Sequence, residues 1–208
     1  MAVNSRVCQT VLCLITAGLS SLSVARQTVE VRSPDGNVRV EVSLDERLDP
    51  CPPGLRLYYA VWFDGRQVIL DSPIGLEFLD RPPLGLSLAL KTKGIRTIDQ
   101  QWQRVCGKSK VVRDHCNELR LTYQETVAPL RRFDLVVRAY DDGVAFRYEL
   151  PNQRGLGRFR LAAERTWFRF AQNHTMWIAN YGGFVSPQES EFVCRRFSDL
   201  SQDEIYGV

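Results

Sequence analysis

The chain has 208 residues, 44% hydrophobic, 10% aromatic and 25% charged, enough apolar content for one packed domain or one with a small appendage. That balance excludes bulk disorder, and a net charge of +3 from scattered Lys and Arg leaves no basic stripe for nucleic acid. Beyond the N-terminus there is no run of about 20 apolar residues to span a membrane.

Residues 1–25 read as a signal peptide. Met1 to Arg6 supplies a short basic start, Val7 to Val24 an uncharged apolar stretch, and Ser23-Val24-Ala25 a small-x-small cleavage site. The Cys, Gln, Thr and Ser within that stretch suit a cleaved leader better than a membrane anchor. The expected destination is periplasmic or extracellular, with no membrane span after cleavage. Four cysteines then remain, Cys51, Cys106, Cys116 and Cys194, an even number in an oxidising compartment. Cys106 and Cys116 flank an expected turn and form the first candidate disulfide. Cys51 with Cys194 follows by elimination. The tight C-x-x-C spacing of a zinc site is absent.

From residue 26 the dominant pattern has period two, in which successive side chains face opposite sides of a sheet. Val38, Val40, Val42 and Leu44 alternate with Arg39, Glu41 and Ser43. Leu55 to Phe63 and Gln67 to Leu70 flank Asp64-Gly65, which predicts a hairpin because Gly accepts the positive φ of a tight turn. Leu119, Leu121 and Tyr123 form the next alternating set. Phe133, Leu135, Val137 and Ala139 follow, then the turn Asp141-Asp142-Gly143, then Val144, Phe146, Tyr148 and Leu150. Phe159, Leu161, Trp167, Phe168 and Phe170 predict one or two further strands. No segment carries a helical apolar stripe. Short strands punctuated by Ser33-Pro34-Asp35-Gly36, Pro50 to Gly54, Arg81-Pro82-Pro83 and Pro151-Asn152 predict an all-β sandwich over 26–180. The end, 181–208, is expected to be loop without a closing strand, an incomplete edge of the same domain.

Glycoside hydrolysis needs two carboxyl groups facing each other across the bond. Asp141 and Asp142 lie at a hairpin tip, where turn chemistry explains them, and Glu149 lies on a polar strand face. No residue of this chain is therefore assigned a catalytic role, and none a metal. A sugar mutarotase would need a His and a Glu in one cleft, for which His115 and Glu118 are the only close pairing; hydrogen bonding within a loop is the commoner role for such a histidine. There is no nucleophile elbow, P-loop or H-E-x-x-H motif. Trp177, Tyr181 and Phe184 cluster late in the chain. Aromatic faces stack on sugar rings, although packing against the sandwich edge is the commoner use of such residues. Asn173-His174-Thr175 matches a glycosylation acceptor.

Four strings occur in order: Ser33-Pro34-Asp35-Gly36-Asn37; Arg113-Asp114-His115-Cys116-Asn117-Glu118-Leu119; Arg138-Ala139-Tyr140-Asp141-Asp142-Gly143-Val144-Ala145-Phe146-Arg147-Tyr148; and Trp177-Ile178-Ala179-Asn180-Tyr181. Together they resemble the N-terminal domain of glycoside hydrolase family 97, the SusB-like α-glucosidases and α-galactosidases. The resemblance implies a β-supersandwich, of the mutarotase-like sandwich type, packed on a catalytic (β/α)8 barrel that needs roughly 250 residues of its own. It implies an exported enzyme that uses calcium near its catalytic glutamates, with an N-domain glutamate ligand in a segment beyond Val208. It also implies contact with an α-linked oligosaccharide, for which Trp177, Asn180 and Tyr181 are the candidates here. Cys116 stands where family members usually have an aromatic residue, and the stretch after Tyr181 departs from the family's acidic and aromatic loop. The expected role is an accessory domain inactive by itself, present as a fragment, with a free-standing carbohydrate-binding module as the alternative.

Overall fold

The computed structural model describes residues 26–46, 54–181, 185–187 and 189–200. The expected signal peptide, Cys51 and Phe184 lie outside the described residues. β1 (Gln27–Arg32), β2 (Val38–Asp45), β3 (Arg56–Phe63) and β4 (Arg66–Ile74) form one antiparallel four-stranded sheet in chain order. β5 (Leu76–Phe78) follows. β6 (Leu88–Gln103), β7 (Val111–Glu125), β8 (Arg132–Tyr140) and β9 (Gly143–Glu149) form a second such sheet. β10 (Leu161–Glu164) pairs with β5, and β11 (Thr175–Ile178) pairs with β12 (Val193–Arg196). A single 3-10 turn, Phe197–Asp199, stands beside them, and no α-helix occurs among the described residues. The all-β sandwich expected from the sequence is the fold observed.

The two large sheets face each other, with β1 against β7 and β8, and β2 against β8 and β9. The alternating residues supply the core. Val40 and Val42 of β2 and Leu57 of β3 meet Leu119 and Leu121 of β7 and Phe133 and Leu135 of β8, all almost fully buried. Each such side chain removed from water contributes about 1.5–3 kcal/mol. Rings interlock across this core: Tyr123 lies 5.8 Å from Phe133, and Phe133 lies 6.2 Å from Tyr148.

Turn chemistry closes the hairpins. Asp64 (φ 48°) and Gly65 (φ 72°) make the β3–β4 turn in the left-handed region that the D-G pair was expected to supply. At the β1–β2 turn the Ser33 hydroxyl accepts from Val38 N–H at 3.0 Å, and the Asp35 carboxylate accepts from Asn37 N–H at 3.0 Å. Asp141, at the β8–β9 turn, accepts from Asp35 N–H at 3.0 Å and so ties a turn of one sheet to a turn of the other. Asp141 is thus a turn residue, as read from the sequence.

Three expectations change. β6 was not anticipated, and it runs sixteen residues beside β7 as the outer strand of its sheet. β12, within the segment expected to be loop, pairs with β11 from Ile178↔Val193 to Thr175↔Arg196. The Cys106–Cys116 disulfide is absent. Cys106 is an exposed free thiol in the β6–β7 turn, whereas Cys116 is a buried free thiol well inside β7, opposite Ile98. Several residues of extended strand, at about 3.3 Å each, separate Cys116 from that turn, far beyond disulfide reach. Cys194 is an exposed free thiol, and its expected partner Cys51 lies outside the described residues.

The segment after β10 completes the first sheet. Arg165 N–H donates to Gly75 O (2.8 Å), Trp167 N–H to Pro73 O (3.1 Å) and Leu70 N–H to Arg169 O (2.7 Å), while the Tyr59 hydroxyl donates to Trp167 O (2.8 Å). Residues 165–171 thus run along the outer edge of β4 and satisfy backbone groups there. This is the additional strand-like segment expected around Trp167 and Phe170, with Phe170 bridged to Ile69.

Candidate functional site

The outward face of the second sheet is built from charge. Cross-strand pairing sets Arg96 (β6), Glu118 (β7) and Arg138 (β8) in one row. Arg96 Nε donates to Glu118 Oε1 at 2.8 Å and Arg138 Nε to Oε2 at 2.8 Å, so both oxygens of a carboxylate only 1% exposed are engaged. Burial alone would raise the Glu118 pKa, but the two arginines outweigh it and hold the group below its ordinary value. Next to it, Asp114 accepts from Gln100 Nε2 (2.9 Å), Tyr140 OH (3.0 Å) and Arg138 Nη1 (3.3 Å), and the Gln100 bond leads in holding it low. Further along, Arg120 bridges Asp134 and Glu149, Arg147 also holds Glu149, and these hydrogen bonds push Glu149 down to about 2. Carboxylates clasped this way stay ionised at neutral pH. They accept hydrogen bonds but have no proton to give to a leaving group.

His115 and Glu118 do not form a dyad. They are three residues apart on one regular strand, so they project from opposite faces. Glu118 joins the charged outer row, while His115 lies on the same face as Leu119, opposite Asp99.

The carbohydrate candidates lie at the other end of the chain. Trp177 is on β11, opposite Cys194, and is 68% exposed, so its ring is not consumed by the core. Asn180 (exposed) and Tyr181 (half-buried) follow just beyond the strand end. The hairpin is anchored behind by Phe170, whose ring meets Phe197 at 5.5 Å and His174 at 6.0 Å. Asn173 ties the hairpin to the 3-10 turn: its amide donates to Ser198 Oγ and its carbonyl accepts from Ser198 N–H, both at 2.9 Å.

Sequence reasoning missed a groove of about 330 Å³ between β4, β5 and residues 165–167. Arg56, Glu77, Leu86, Arg165 and Trp167 line it. Its floor is a crossing of two backbones, Gly75 over Gly85, fixed by reciprocal bonds between Leu76 and Leu84 at 3.0 and 2.8 Å. A Cβ on Gly75 would come within 2.9 Å of Leu84 O, so this approach requires glycine. Trp167 had been read only as a strand residue, and no sequence periodicity joins it to Glu77 and Arg56.

The two facing antiparallel sheets, with the four ordered strings mounted on strands and turns, define an all-β sandwich module. The chain belongs to the glycosyl-hydrolase 97 N-terminal family, whose model matches residues 31–206. It is similar to a retaining alpha-galactosidase of Bacteroides thetaiotaomicron, with 26% identity over 78% of this chain and 22% of that protein. A probable retaining alpha-galactosidase of Streptomyces bingchenggensis shares 31% identity over 56% of this chain and 17% of its own length. Among solved structures it is similar to a glycoside hydrolase family 97 enzyme from Pseudoalteromonas sp. strain K8 in complex with panose, with TM-score 0.68 and 27% identity over 82% of this chain and 25% of that one. The chain thus spans about a quarter of the length of these relatives or less. Among the described residues no helix is long and apolar enough to cross a membrane.

Proposed function

We propose that this chain is the accessory N-terminal domain of an exported α-glycoside hydrolase of α-glucosidase or α-galactosidase type, shaping the carbohydrate site without supplying the catalytic pair. The observation that carries this reading is the family match over residues 31–206 in a chain that spans about a quarter of its relatives' length or less, and the state of the carboxyl groups agrees with it. Retaining and inverting mechanisms both need one carboxylic acid whose pKa is raised so that it holds a proton. Every described carboxyl with a resolved shift, Asp35, Glu77, Asp80, Asp99, Asp114, Glu118 and Glu149, is shifted downward by hydrogen bonds or arginines. The part of the relatives that this chain does not span has ample length for a catalytic barrel, and the sandwich is the partner of that barrel. Export follows from the leader-like residues 1–25 and leads to the periplasm or beyond.

In this reading Trp177, Asn180 and Tyr181 contribute to the rim of an α-linked oligosaccharide site. Calcium belongs to the catalytic portion of the enzyme. Among the described residues no group of three or more His, Cys, Asp or Glu side chains is gathered to hold a metal ion, so they do not fit that site and no step is routed through it. The exposed Trp177 also supports the second reading, a free-standing carbohydrate-binding module. Incubating the purified chain with aryl α-glucoside and α-galactoside separates these ideas from autonomous catalysis: the expected outcome is no hydrolysis above the buffer rate. Turnover that survives repurification would sink the accessory-domain reading.

A further inference from the structure

We propose that the groove between β4, β5 and residues 165–167 is a second sugar-binding site, one that seats a pyranose unit against Trp167. It lies on elements other than the Trp177 hairpin and draws on none of its residues. The inference rests on the reading of this chain as part of a carbohydrate-active enzyme for the class of ligand, and on the groove's own chemistry for the site.

Three features carry it. The first is size and rigidity: about 330 Å³ is at the lower end of small-molecule pockets, which span about 300–1,000 Å³, and it suits a mono- or disaccharide. The floor does not need to form on binding, because the Gly75–Gly85 crossing and the Leu76–Leu84 bonds already fix it.

The second is an aromatic wall held by its backbone. Trp167 is 41% exposed, while its N–H donates to Pro73 O and its carbonyl accepts from the Tyr59 hydroxyl. The main chain that carries the indole is therefore fixed, and the ring itself is left partly exposed along the groove. The apolar face of a pyranose carries C–H bonds whose slight positive charge meets the negative face of an aromatic ring.

The third is a fixed pair of donor and acceptor. Arg165 and Glu77 meet side by side, Nε to Oε1 at 2.8 Å and Nη2 to Oε2 at 2.9 Å. Two guanidinium N–H groups serve Glu77 and the remaining three can donate outward. The carboxylate oxygens keep lone pairs to accept from hydroxyls. Adjacent sugar hydroxyls each donate and accept, so they match such a pair.

The test is a titration of the purified chain with maltotriose and, separately, melibiose, reading affinity by isothermal titration calorimetry and the place of binding by the indole N–H signals in two-dimensional NMR. The expected result is a saturable shift of the Trp167 indole. In Trp167→Ala the affinity for the responsive sugar falls about tenfold or more, the scale of one lost stacking contact. Arg165→Gln, which keeps the size of the site and removes the paired donor, weakens binding as well. Trp177→Ala leaves the Trp167 response intact. A near-ultraviolet circular dichroism spectrum identical to that of the parent establishes that each variant is folded. Binding that is lost in Trp177→Ala and retained in Trp167→Ala overturns the groove while leaving the accessory-domain reading in place. No shift at Trp167 with either sugar at millimolar concentration also overturns it. Hydrolysis by the chain overturns the accessory-domain reading and leaves the groove result standing, so the two failures are distinct.

Discussion

Arg131 is the largest fully buried side chain of the described residues, and it is a charge. Its Nε and its own backbone N–H both donate to Glu125 Oε2 at 2.9 Å, Nη2 holds the other Glu125 oxygen, and the guanidinium also reaches Pro82 O and Pro83 O at 2.9 Å each. This pins the end of β7 to the loop before β6. Removing one partner of a buried pair strands the other, so Arg131→Ala is expected to cost about 3–5 kcal/mol in urea denaturation. Replacing both partners with apolar residues, Arg131→Met with Glu125→Leu, should cost less than Arg131→Ala alone. Nothing in the sequence marked this residue, since Arg131-Arg132 resembles any exposed basic pair and burial of Arg131 depends on carbonyls almost fifty positions away. Asp141 shows the opposite case. Its turn role was legible because turns are local, and only the bond to Asp35 across the sandwich was hidden.

At the scale of elements, legibility followed burial. β2, β7, β8 and β9 alternate because one face of each meets the core, and that demand is written into the residue order, whereas β3 is a continuous apolar run buried on both faces and was marked by its D-G turn. β12 has four exposed residues and β6 is exposed on both faces along most of its length, so no core imposes a period on either. Pairing with a neighbour makes them strands, and pairing by backbone leaves no mark in the sequence. The cysteine error has the same origin: ten positions apart reads as close in sequence, while a hairpin carries Cys116 down the sheet away from Cys106. A thiol count tests this. Brief alkylation of the folded chain should label Cys106 and Cys194 quickly. Cys116, buried and with its thiol pKa pushed up by that burial, should be modified only on unfolding. Recovery of a Cys106–Cys116 cross-linked peptide from unreduced protein would contradict the structure.

For the whole molecule, the shifted carboxyls set the response to acid. Asp35, Asp99, Asp114, Glu118 and Glu149 all have folded-state pKa values below their ordinary ones, Glu149 falling from 4.5 to about 2. Groups depressed by folding stabilise it above their unfolded pKa, and that contribution drains away as they are protonated in the native state. Thermal midpoints should therefore stay level from pH 7 to about pH 5 and fall between about pH 4.5 and pH 2. Glu149→Gln should make that fall shallower, as scanning calorimetry across the range would record. The sandwich itself, the sum of many alternating strands, was the most legible property of the chain. The groove was the least, because Arg56, Glu77 and Trp167 come together only after the fold has closed.

That closure has a timetable. The Arg169 N–H that reaches Ser72 Oγ at 3.0 Å lies 97 residues later in the chain. Whatever delivers the chain to the place where it folds, β4 must wait for those later residues before it is sealed. During that interval its edge is a vacancy that any passing strand can fill, and the chain's own later segment has to arrive first.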